Sequence, residues 1–121
     1  SSTIINFSSD LGIISPNQNI YSKDSVKPLV YSVSKHGIIG MTKYFATLFS
    51  QKGIRVNSIC FGGVYNKKFD ANFISKFSKL VPMERMCNIE EILSPINFLL
   101  DHKNSYMTGH SLVIDGGRTI W

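Results

Sequence analysis

The sequence has 121 residues, 43% hydrophobic and 17% charged, which suits one globular domain with a modest core and excludes a disordered or fibrous chain. Thirteen Lys and Arg against eight Asp and Glu give a formal charge of +5, yet the basic residues are scattered and read as a solvated surface, so no nucleic-acid or membrane partner is expected. The two cysteines, Cys60 and Cys87, have no metal-ligand spacing, and no apolar run approaches the ~18 residues of a membrane span, so a reduced cytoplasmic protein without a bound metal is expected.

Residues 3–7 form an apolar, β-branched run that reads as a buried strand. Residues 12–28, with Pro16, Asn17, Asn19 and Pro28, read as a long irregular loop of functional or mobile character. Residues 31–52 read as a helix whose apolar positions Ile38, Met41, Phe45, Leu48 and Phe49 recur at three- and four-residue steps, with Gly53 closing it. A second strand is expected over 55–60. A polar segment, 65–80, carries Phe69, Phe73 and Phe77 at the spacing of a short amphipathic helix. Residues 89–100 read as another helix, with Asn88 as N-cap, Glu91 completing a capping box, Ile92, Ile96 and Leu99 as its apolar face, and a kink at Pro95. The third strand is 111–114. The order β-α-β-α-β predicts an α/β fold, one half of a doubly wound Rossmann-like parallel sheet, with functional loops at the C-terminal ends of its strands.

The segment Tyr31-Ser32-Val33-Ser34-Lys35 carries the strongest chemical signal. Tyr31 and Lys35 lie four apart and so share one helix face. A phenol ordinarily titrates at ~10, and a neighbouring ammonium favours the phenolate, the arrangement of a proton donor and acceptor. Asn6-Phe7-Ser8-Ser9 ends the first strand and delivers a hydroxyl to the sheet edge, where it can bind a substrate oxygen; the two serines face opposite sides, so one of them points into the site. His36 lies on a different face from Lys35 and reads as a packing or interface residue. Gly62-Gly63 and Asp115-Gly116-Gly117 mark turns after the second and third strands.

Taken in order, I-I-N-F-S-S, Y-S-V-S-K-H-G-I-I-G-M-T, G-I-R-V-N-S-I-C-F-G-G-V, P-M-E-R-M and Y-M-T-G-H-S-L-V-I-D-G-G resemble the short-chain dehydrogenase/reductase family over nearly the whole chain. The resemblance implies an NAD- or NADP-dependent oxidoreductase that interconverts an alcohol and a ketone. It assigns Ser9, Tyr31 and Lys35 as catalytic. Tyr31 would exchange a proton with the substrate oxygen, Lys35 would also hold the nicotinamide ribose, and Ser9 would orient the substrate. The loop Phe61-Gly62-Gly63-Val64 matches the family's Pro-Gly-x-Val, so Phe61, Gly62, Val64 and Asn66, with Tyr31 and Lys35, are the expected cofactor contacts. Phe61 stands where proline is usual and Asn66 where threonine is common.

The family's glycine-rich pyrophosphate-binding turn does not occur within residues 1–121. These residues therefore read as the C-terminal catalytic part of one dehydrogenase domain, and alone they are expected neither to bind NAD(P) nor to turn over substrate. The connection from Ser9 to Tyr31 is longer than usual in the family and is expected to wall the substrate pocket. That loop, with the G-G-V-Y-N and D-G-G-R-x-x-W endings, is similar to oxidoreductases of bacterial flagellin-glycan and nonulosonate-type sugar pathways, which implies a sugar-derived substrate. Reduction of 3-oxoacyl groups on an acidic carrier and a non-catalytic truncated fragment are the alternatives. The resemblance also implies a small-molecule substrate as the partner and a homodimer or homotetramer as the assembly.

Overall fold

A computed structural model describes residues 2–121. Strands β1 (Ser2–Ser9), β2 (Ile54–Phe61) and β3 (Ser111–Ile114) form one parallel sheet in the order β1-β2-β3. All three predicted strands are present. The first two run past their apolar cores because the ladder continues from Ser2 opposite Ile54 to Ser9 opposite Phe61.

Side chains alternate along β1, and their partners assign its faces. Asn6 donates to the Thr42 hydroxyl at 3.0 Å and Ser8 to the Lys35 carbonyl at 2.7 Å, so one face meets helix α1 (Leu29–Phe49). On the other face Arg55, opposite Thr3, donates at 2.9 Å to the Leu99 carbonyl of helix α3 (Leu93–Leu100). Helices thus cover both faces, and β2 is buried from Arg55 to Cys60. Its polar side chains are satisfied there. Asn57 donates to the Met107 carbonyl at 3.0 Å and accepts from the His110 N–H at 2.9 Å, fixing the approach to β3.

Helix α1 begins two residues before the expected start, because Pro28 ends the extended chain as N-cap. Its last predicted turn is a 3-10 turn, Ser50–Lys52, closed by Gly53 at φ 71°. The residues it buries are the small Thr42 and Ala46, whereas Met41 and Leu48 of the expected apolar stripe are exposed. Small residues let the helix axis approach the sheet, which turns the larger side chains outward.

The 12–28 segment is anchored rather than loose. A 3-10 turn, Gln18–Ile20, inserts Ile20 into an apolar cluster with Phe77, Val81 and Met86. Helix α2 (Ala71–Ser78) supplies Phe77, and its Asp70 cap accepts from the Phe73 N–H at 3.3 Å. The expected 89–100 helix opens as a 3-10 turn, Ile89–Ile92, before α3. Pro95 is the third residue of α3 and so stands in its first turn, where N–H groups have no α-helical acceptor to lose, rather than in the middle of one long helix. Among the described residues no helix is long and apolar enough to cross a membrane.

Candidate active site

The C-terminal ends of β1 and β2, the first turn of α1, the 12–28 segment and α2 enclose an open pocket of about 330 Å³. Its polar lining includes Ser9, Asp10, Tyr21, Lys27, Tyr31 and Arg118, and its apolar wall includes Phe61, Phe69, Phe73 and Phe77. The position follows from the sheet: three parallel strands send their ends to one edge, and the connections there leave a crevice.

Both serines border the pocket, against the expectation that only one would, but their hydroxyls take different partners. Ser8, held by the Lys35 carbonyl, is a strut between β1 and α1. The Ser9 hydroxyl donates to Asp10 Oδ1 at 2.9 Å and accepts from the Leu11 N–H at 3.1 Å, so it is fixed at the pocket wall. Tyr31 and Lys35 lie on one side of α1, with the Lys35 ammonium 5.5 Å from the centre of the Tyr31 ring. Lys35 donates to the Phe7 carbonyl at 3.3 Å, which spends one of its three N–H groups. Lys27 lies closer still, 3.9 Å over the Tyr31 ring. Sequence reasoning passed over Lys27 because it belongs to the irregular segment, outside any periodic pattern.

Phe61, Gly62 and Val64 line the same pocket. Their backbone is held on both sides: the Gly62 N–H donates to the Ile114 carbonyl at 2.9 Å, and the Gly63 carbonyl accepts from the Cys87 N–H at 2.8 Å. A side chain at Gly63 would collide with Phe77 and Met86, so the loop lies flat against α2. Asn66 is not brought to this lining; it is exposed, and its Oδ1 accepts from the Lys68 N–H at 2.9 Å in a local turn. His36 is also exposed and pairs with the Ser32 carbonyl of its own helix at 2.9 Å.

The residue pair least visible in the sequence lies at the pocket base. Arg118 and Asp10, 5% and 3% exposed in their side chains, form an ion pair at 2.8 Å. The Arg118 guanidinium also lies 4.7 Å from the Phe77 ring centre. Asp10 therefore binds Ser9 through one oxygen and Arg118 through the other. Tyr21, beside them, has its phenol pushed above the ordinary value by burial, with Arg118 opposing and Asp10 adding to the shift. Cys60, under α1, is likewise pushed up by burial and is no nucleophile.

A family model described as enoyl-(acyl carrier protein) reductase matches residues 2–119. The oxidoreductase UcpA of Escherichia coli is 35% identical over 101 residues, covering 74% of this chain and 38% of that protein. The post-translational flagellin modification protein A of Campylobacter coli is 32% identical over 115 residues, covering 94% of this chain and 44% of that protein. A short-chain dehydrogenase of Leptospira borgpetersenii, solved with bound NAD+, superposes at a TM-score of 0.90 with 37% identity, over 98% of this chain and 44% of that one. The chain thus spans less than half the length of these relatives. Strand order, helix placement and these matches agree: the chain belongs to the short-chain dehydrogenase/reductase family.

Proposed function

We propose that the whole protein is an NAD- or NADP-dependent oxidoreductase interconverting a secondary alcohol and a ketone, and that this chain supplies its catalytic part. The observation that carries the reading is the meeting of Ser9, Tyr31 and the Phe61–Gly62–Val64 loop on one pocket, with the Lys35 ammonium beside the Tyr31 ring. The nicotinamide supplies or accepts the hydride when bound. The residues present fit that end of a dinucleotide, because the Gly62-Gly63 backbone borders the pocket and Lys35 keeps N–H groups to donate. Tyr31 passes a proton to or from the substrate oxygen, and Lys35 stabilises the phenolate that remains. Ser9 fixes that oxygen. Its proton is directed at Asp10, so a substrate hydroxyl meets a hydroxyl lone pair, whereas a ketone requires the Ser9 O–H to turn toward it.

A sugar-derived substrate is the preferred reading, supported by the flagellin modification relative that matches 94% of this chain. The second reading, a 3-oxoacyl group on a carrier, is supported by the 3-oxoacyl-[acyl-carrier-protein] reductase FabG of Buchnera aphidicola, 37% identical over 90 residues. The free cysteines Cys60 and Cys87 suit a reducing, cytoplasmic setting. Tyr31→Phe in the full-length protein is expected to lower turnover roughly 10²–10⁴-fold with NAD(H) affinity retained. Steady-state rates within about threefold of wild type would remove Tyr31 from the mechanism.

A further inference from the structure

A buried guanidinium needs acceptors for several N–H groups, and one carboxylate oxygen does not exhaust them. Arg118 spends Nη1 on Asp10 at 2.8 Å and lays its face toward Phe77. Its side chain makes no other hydrogen bond among the described residues, yet none of its nitrogens is both sealed from solvent and unpaired. Since Arg118 lines the pocket, the remaining donors open onto the space beside Ser9 and Tyr31.

The charges on that wall do not cancel. Asp10 contributes one negative charge against Lys27 and Arg118, so the lining holds one uncompensated positive charge. The Lys27 ammonium lies 3.9 Å over the Tyr31 ring and 6.0 Å from that of Tyr21, and among the described residues it has no carboxylate partner, so it needs a counter-charge or water. A planar carboxylate matches the free edge of a guanidinium with two parallel hydrogen bonds, while Phe69, Phe73 and Phe77 accommodate an apolar ring or chain.

We propose that the substrate is an alcohol or ketone bearing a carboxylate, which Arg118 binds at the base of the pocket and Lys27 attracts at its side. This rests on the oxidoreductase reading for the identity of the reacting oxygen, but the anion site itself does not depend on turnover. Asp10 joins the two ends of this site, since it accepts from Ser9 through one carboxylate oxygen and from Arg118 through the other.

The test is calorimetric titration of the full-length protein with cyclohexanecarboxylate and, separately, with cyclohexanecarboxamide, which differ in charge and little in shape. The carboxylate is expected to bind at least about tenfold more tightly. The double variant Asp10→Asn/Arg118→Gln, which removes both charges together, is expected to reduce that preference to about twofold or less. Lys27→Met, on the pocket's outer segment, keeps the test open if the double variant unfolds, and is expected to reduce the preference about threefold. Equal binding of acid and amide to the wild type, absence of carboxylate binding, or an unchanged preference in every folded variant overturns the proposal. NADH titration by fluorescence on the same preparation reads the oxidoreductase assignment separately: loss there with the acid preference intact sinks that assignment and not the anion site.

Discussion

Gly12 carries one of the tightest approaches in the fold. A Cβ there would lie 2.5 Å from the Ser8 hydroxyl oxygen and 2.8 Å from the Lys35 carbonyl oxygen, and the second of these is helix backbone that does not swing aside. Gly12→Ala is therefore expected to destabilise the full-length protein by about 1–3 kcal/mol, by prising α1 from the end of β1. Denaturant unfolding measures it, and an unchanged midpoint would contradict the packing described. The serine pair, the Tyr31/Lys35 face and the Gly62-Gly63 turn were legible in the sequence as local patterns (a strand end, a helix face, a turn), while the choice of Ser9 within its pair came from the family resemblance. Arg118 and Asp10 were not legible, since their bond spans 108 positions and neither neighbourhood carries a periodic signal. Asn66 shows the converse: a motif position suggests a contact, but its own Asx-type turn holds the carbonyl oxygen elsewhere.

At the scale of elements, the entry to α3 depends on one carboxylate. Glu91 accepts from both terminal nitrogens of Arg85 at 2.8 Å and from the Asn88 N–H at 2.8 Å. The Arg85 fork, then the Asn88 N–H, hold its pKa down to about 2. Because the folded value is depressed, this contribution is complete above the ordinary carboxylate range and is lost as pH falls toward about 2. Arg85→Met is expected to move the acid-unfolding midpoint of the full-length protein to higher pH, followed by circular dichroism. The shift should shrink in high salt, because both side chains are about two-fifths exposed. An unaltered acid midpoint at low salt would show the pair to be idle. The Asn88–Glu91 spacing made this helix start readable, whereas the inward face of α1 was not. Thr42 and Ala46 carry too little hydrophobicity to stand out among Met41, Phe45 and Leu48, although close packing selects them.

For the whole molecule, α1 turns Met41, Tyr44 and Leu48 outward, exposed at 41%, 64% and 51%. An apolar helix face of this kind is a place for a neighbouring helix. The full-length protein is expected to be a homodimer or homotetramer with α1 buried at a two-fold interface. Light scattering at micromolar concentration checks this, and a stable monomer contradicts it. The sheet that carries this helix has a further consequence, in time rather than in space. Ser2 meets Ile54 and Ser58 meets Ser111, so each ladder closes only after roughly fifty residues of intervening chain have been made and folded back. No hairpin shortens the search. Topologies dominated by such distant pairings fold slowly, and until β3 arrives the apolar β2 has an open flank. A nascent chain paused between β2 and β3 would therefore depend on α1, already complete, to shield one face of the strand on which the molecule is centred.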